Sequence, residues 1–162
     1  MKRKIIALFL SFICFLGFQL NVKAETNDTY LSEDIQYYCY EIGEWYGICP
    51  ELLMAIIESE SSGNPDAENG SCKGLMQVST RWHYDRMEKL CVADIFEPYD
   101  NIMVGADYLY ELMQKYEDVG LVLMVYNGDS RAEDYASGIC ELSNYAREIL
   151  ERSEALERVH GK

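Results

Sequence analysis

Between Pro50 and Ser61 the chain carries its most constraining stretch, an apolar run at helical spacing that ends on a carboxylate. Pro50 suits the first turn of a helix, where its missing N–H costs nothing. Steps of three and four then place Leu53, Ile56, Ile57 and Glu60 on one stripe that demands a core to pack against. Glu51 and Glu58 fall on another side, where solvent is expected to reach them. Glu60 is different, because a carboxylate on a core-facing stripe is disfavoured unless it is paired, protonated or at the floor of a cleft. Apolar walls raise a carboxyl pKa, which suits a general acid. The alternative is a glutamate at a fraying helix end that turns outward, and structural networks also perturb such groups. Periodicity leaves both open.

Most of the remaining chain also reads helical. Leu31 to Tyr46 carries Ile35, Tyr38, Ile42 and Trp45 at helical spacing, with Ser32 as N-cap and acids in the first turn. Asn101 to Tyr116 puts Ile102, Ala106, Leu109 and Met113 on one face. Val119 to Tyr126 is almost wholly apolar and fits a buried helix or a strand by periodicity alone. Gly63 to Lys73 reads as a loop, and Gly74 to Glu88 as a short helix followed by an irregular stretch. Asn127 to Gly138 is a polar loop, and Glu141 to Val159 a final helix that becomes highly charged after Leu150. No internal repeat or low-complexity tract is visible, and 162 residues leave room for one domain.

The N-terminus is a separate object. Lys2, Arg3 and Lys4 precede an apolar run from Ile5 to Leu20, and Val22-Lys23-Ala24 offers a small-residue cleavage site before Glu25. This is the layout of a secretory signal peptide over residues 1–24, with an uncleaved membrane anchor as the alternative. Export across the cytoplasmic membrane follows, to a secreted or wall-associated location. Cleavage would remove four basic residues and no acid, making the net charge of −14 four units more negative. A field of that sign excludes nucleic-acid binding through overall charge and repels anionic polymers.

Five cysteines follow the leader: Cys39, Cys49, Cys72, Cys91 and Cys140. An exported chain can keep disulfides, and five thiols allow at most two. The favoured pairing is Cys39 with Cys49 and Cys72 with Cys140, leaving Cys91 over, although the connectivity stays open. No metal site is expected, because the only histidines are His83 and His160 and no close Cys or His pair occurs. No cofactor is implied.

Four elements, the first containing Glu60, follow in order. Glu60-Ser61-Ser62-Gly63-Asn64-Pro65 is followed by Gly74-Leu75-Met76-Gln77, then by Pro98, Asn101-Ile102, Gly105 and Tyr108-Leu109, and later by Val125-Tyr126-Asn127. From about Trp45 to about Leu150 this pattern resembles the catalytic domain of the soluble lytic transglycosylases, lysozyme-like enzymes that cleave peptidoglycan. The resemblance implies an all-α, single lysozyme-like domain over residues 25–162 and decides for helix at Val119 to Tyr126.

It also implies roles. Glu60 matches the family's one essential carboxylate, which protonates the glycosidic oxygen between N-acetylmuramic acid and N-acetylglucosamine. It then takes a proton from the muramic C6 hydroxyl, so that a 1,6-anhydro sugar forms without water. One carboxylate thus suffices where ordinary glycosidases need two. Ser61 matches a serine expected to touch Glu60 or substrate, with a backbone-bonding hydroxyl as the alternative. Met76 and Gln77 match the segment lining the sugar cleft. Tyr126, with Asn127 beside it, matches a tyrosine whose hydroxyl approaches the catalytic carboxylate, and Tyr145 resembles a further cleft tyrosine. Val125 stands where the family has alanine, and Ser62-Gly63 where it usually has a bulky residue. Trp45 and Trp82 are expected in the core rather than as stacking platforms.

Two other readings stand beside this one. A hydrolytic muramidase of goose-lysozyme type needs a second carboxylate, for which Asp66, Asp85 and Asp94 are candidates. A non-catalytic glycan-binding or secretion-scaffold module would keep the shape alone. The expected partner is the peptidoglycan glycan strand, acted on by a monomer. A secretion or conjugation machine is a further candidate, because the acidic charge suits locally delivered activity.

Overall fold

A computed structural model describes residues 28–162. The leader and its cleavage site lie outside the described residues. Seven helices and one small sheet follow in order: α1 (Glu33–Tyr46), α2 (Pro50–Ser61), β1 (Glu68–Asn69), β2 (Cys72–Lys73), β3 (Val78–Ser79), α3 (Tyr84–Lys89), α4 (Pro98–Lys115), α5 (Val119–Tyr126), α6 (Ala132–Ala136) and α7 (Asn144–Val159). The fold is all-α and lysozyme-like, as expected. None of the described helices is long and apolar enough to cross a membrane.

Capping chemistry sets the helix starts. Ser32 accepts from the Ile35 amide, Asp118 from Leu121 and Ser143 from Ala146, each satisfying a donor that the first turn leaves orphaned. Pro50 and Pro98 open α2 and α4. Helix α2 is the centre of the molecule. Every residue from Glu51 to Ile57 is buried, so no face of its first two turns meets water. It packs against α1 and α7, while α4 and α5 close the core behind.

The stretch expected as loop and short helix differs. Residues 68–79 form a three-stranded antiparallel sheet, β1-β2-β3, with Glu68 opposite Lys73 and Cys72 opposite Ser79. Strands of two residues carry too little alternation to be read from pattern. The polar loop after Asn127 also contains the short helix α6.

Four expectations about side chains are corrected. Trp45 and Trp82 are 85% and 76% exposed, not core. Glu51 is wholly buried. Its carboxylate accepts from Lys162 Nζ at 2.8 Å and the Cys49 thiol at 3.0 Å, and it bonds His160 Nδ1 at 2.9 Å. Burial pushes its pKa up, but those three partners outweigh it and hold the group at about 2. Glu58 is not free in solvent either, since its side chain is 8% exposed and ion-paired with Arg152. The cysteines 39, 49, 72, 91 and 140 are all free thiols, so neither favoured bridge is formed.

At Gly63, where the resemblance implies a bulky residue, the structure leaves little room for one. Gly63 sits at φ +76°, and a Cβ there would come within 2.8 Å of Leu31 Cδ2. The N-terminal segment therefore occupies the space that a bulky residue at this position would need.

Candidate active site

Glu60 lies in the last turn of α2, half-buried. The Tyr145 hydroxyl, delivered from the first turn of α7, donates to its Oε1 at 2.5 Å. Burial raises the Glu60 pKa, and the Tyr145 bond partly opposes that rise by favouring the carboxylate. Tyr145 itself is pushed far up, by burial first and then by the Glu60 charge, so it remains a donor. A partly buried acid with a single neutral donor is poised to give up a proton and then accept one.

Tyr126 is placed differently from expectation. Its hydroxyl donates to the Met76 carbonyl at 2.9 Å, although Glu60 is near enough that its charge adds to the burial that raises the Tyr126 pKa. Tyr126 therefore fixes the Gly74–Gln77 segment, and Tyr145 is the tyrosine on the acid. Ser61 is buried and its hydroxyl donates back to the Ile57 carbonyl at 3.1 Å, which is the backbone-bonding alternative. The Met76 side chain is fully buried against Gly105, where an added Cβ would lie 2.5 Å from its sulfur. Met76 thus contributes its backbone to the site and not a wall. Gln77 takes a left-handed conformation at φ +47°, and its Nε2 donates to the Ala67 and Gly74 carbonyls at 3.1 and 3.0 Å.

A groove of about 570 Å³ runs beside these residues, walled by Gln77, Trp82, His83, Tyr108, Tyr126 and Asn127 among others. Glu60, Ser61, Met76 and Tyr145 are not in its lining; Tyr126 lines the groove and is also near enough to Glu60 to feel its charge. Aromatic rings form its length. His83 and Tyr108 lie 4.4 Å apart between centroids, and Tyr108 and Tyr126 lie 5.5 Å apart. Trp82 also lines the groove and is largely exposed. The His83 pKa is lowered by burial and then by the Arg86 charge, which keeps the imidazole neutral in the groove. Arg86 is tied to Asp107 and Glu111. Asp66, Asp85 and Asp94 are exposed and none lines the groove. Among the described residues no group of three or more His, Cys, Asp or Glu could hold a metal ion.

A profile of the transglycosylase SLT domain matches residues 38–137, more than half of the chain. The chain belongs to the transglycosylase SLT family. A transglycosylase of Enterobacteria phage PRD1 is 31% identical over 93 residues, covering 57% of this chain and 34% of the phage protein. The lytic transglycosylase Slt of Pseudomonas aeruginosa, solved as an inactive mutant, shares the fold with a TM-score of 0.58 at 21% identity, over 76% of this chain and 22% of that one. The chain thus spans about a third of the phage relative and less than a quarter of Slt.

The SLT match contains Glu60, Gln77, Tyr126 and Asn127, whereas Tyr145 lies beyond it, so its contact with Glu60 is known from geometry. Sequence reasoning missed Asn101 as a site-building residue. Fully buried, it accepts from the Met76 amide at 2.8 Å and donates to the Lys73 and Ile95 carbonyls at 2.9 and 2.8 Å. It pins the SLT segment Gly74–Gln77 onto α4. The signal was available, because Asn101 interrupts the apolar stripe of α4 as Glu60 interrupts that of α2.

Proposed function

We propose that this chain is a peptidoglycan lytic transglycosylase that cleaves the β-1,4 bond between N-acetylmuramic acid and N-acetylglucosamine. The observation that carries the reading is Glu60: a half-buried carboxyl with a raised pKa and one tyrosine donor, while Asp66, Asp85 and Asp94 lie outside the groove and the carboxylate that lines it, Glu111, is ion-paired with Arg86. Protonated Glu60 gives its proton to the glycosidic oxygen as the C1–O bond breaks. The resulting carboxylate takes the proton of the muramic C6 hydroxyl as that oxygen bonds to C1, closing the 1,6-anhydro ring and returning Glu60 to its starting state. A hydrolase would instead need a base positioned to activate water on the opposite face of the sugar.

The groove from Tyr126 to Trp82 supplies a sugar track, with rings for the apolar faces and Gln77, Asn127 and His83 for hydroxyls. Export fits the leader at residues 1–24 and gives the enzyme its wall substrate, and a secretion or conjugation machine needing a local opening fits the acidic charge.

The decisive experiment incubates the protein with purified peptidoglycan beside a Glu60→Gln control and weighs the released muropeptides. Anhydro ends, one water lighter than reducing ends and absent in the control, support the proposal. Reducing ends make it a muramidase, and glycan bound without any product makes it a binding module.

A further inference from the structure

All three acids of α2 are held by residues of α7 or of the tail that follows it. Tyr145 donates to Glu60, Arg152 grips Glu58, and His160 and Lys162 hold Glu51. The middle contact is the most fully built. Arg152 Nε donates to Glu58 Oε2 at 2.6 Å and Nη2 to Oε1 at 3.0 Å, the two-pronged geometry in which a guanidinium binds a carboxylate most tightly. The Thr29 hydroxyl adds a bond to Oε1 at 2.6 Å, and Arg152 Nη2 also reaches the Asp28 carbonyl at 3.3 Å. The Glu58 backbone carbonyl accepts from the Tyr30 hydroxyl at 3.4 Å.

Glu58 and Glu60 are two residues apart on a helix and therefore leave it on opposite flanks. Tyr145 and Arg152 are two turns apart on one face of α7. We propose that Arg152 is a positioning residue for the reaction: its fork on Glu58 sets the register of α7 against α2 and so holds the Tyr145 hydroxyl on Glu60. This rests on Glu60 being the acid of the proposed transglycosylase. Ala146, Ile149 and Leu156 decide which face of α7 turns inward, but an apolar face is not directional. A bidentate ion pair is directional, and a catalytic hydrogen bond needs placement to about 0.5 Å.

The titratable groups facing Glu60 are Tyr145 from α7 and Tyr126 from α5, and the Tyr126 hydroxyl is already committed to Met76. Loosening α7 therefore removes the one donor that stabilises the carboxylate and leaves burial unopposed.

The test follows the Glu60 carboxyl by ¹³C NMR titration of the full chain without substrate, with kcat and KM on peptidoglycan measured alongside. Arg152→Gln should move the Glu60 pKa upward, as Tyr145→Phe does, and lower kcat about tenfold while KM stays within about twofold. The double variant should show no shift beyond that of Tyr145→Phe alone. Arg152→Lys, which keeps the charge without the fork, should fall between wild type and Arg152→Gln, and it replaces that variant if the latter does not fold. A Glu60 titration unmoved by the Arg152 variants, or shifts that simply add in the double variant, overturns the proposal. Product release by the wild type is read separately: its absence refutes the enzyme, while the titration reports whether Arg152 and Tyr145 are coupled.

Discussion

Glu60 sets two opposing demands on one side chain. As an acid it must begin protonated, so the rate should be highest on the acid side and fall as pH rises through its elevated pKa. A rate that climbs steadily into alkaline pH would defeat the assignment. The same burial has a stability cost. A carboxyl whose folded pKa lies above its unfolded value contributes stability at low pH and loses it as pH rises through the folded pKa. Glu60→Gln removes that ionisation while keeping an acceptor for Tyr145. It should abolish turnover and raise Tm at neutral pH by roughly 2–4 °C, equivalent to about 1 kcal/mol for a chain of this size, measurable by calorimetry.

At the scale of elements, the segment from Gly74 to Gln77 is a backbone feature clamped from two helices, Asn101 of α4 and Tyr126 of α5. Asn101→Leu keeps the volume but strands the Met76 amide and the Lys73 and Ile95 carbonyls in the interior. It should cost about 3 kcal/mol in urea denaturation, with activity falling as Gln77 and the groove wall loosen. Trp82 makes the complementary case. An indole 76% exposed contributes little to the core, so Trp82→Ala should leave Tm within about 1 °C while raising KM on glycan strands several-fold, with kcat preserved. Equal KM values for the two proteins would remove Trp82 from the sugar track.

The whole molecule shows what could be read in advance and what could not. Four of the five longer helices were legible from their own residues, as with Ile35 to Ile42 under Ser32 or the stripe from Ile102 to Leu109, whereas the almost wholly apolar Val119–Tyr126 was settled as helix only by the family resemblance. Glu60 was legible for the converse reason, as a polar break in such a stripe. Glu51 was not, because its burial is created by His160 and Lys162, which return from the far end of the chain. The sheet was hidden by its two-residue strands, and Trp45 and Trp82 by the general preference of indoles for the interior. The Glu51 cluster also sets an acid limit for the whole fold. A carboxyl held down at about 2 contributes stability above its ordinary pKa and loses it as pH falls toward 2, so acid unfolding should begin below about pH 4.5. Deleting residues 160–162 should destabilise the fold by about 2–3 kcal/mol, less than for a wholly buried pair because Lys162 is half exposed. It should also bring acid unfolding to higher pH in a circular-dichroism titration.

Glu60 and the hydroxyl that meets it lie 85 residues apart in the sequence. A polypeptide that leaves the ribosome or crosses a membrane N-terminus first presents its acid early and the tyrosine late. During that interval α2 lacks the helix that covers it, and its carboxyl stands in water at an ordinary acidity. On the proposed mechanism, a chain of this topology lacks its assembled acid while it is being made or moved. The proposed site is assembled only once the last helix has arrived, which under the proposed export places that moment on the far side of the membrane, where the wall substrate lies.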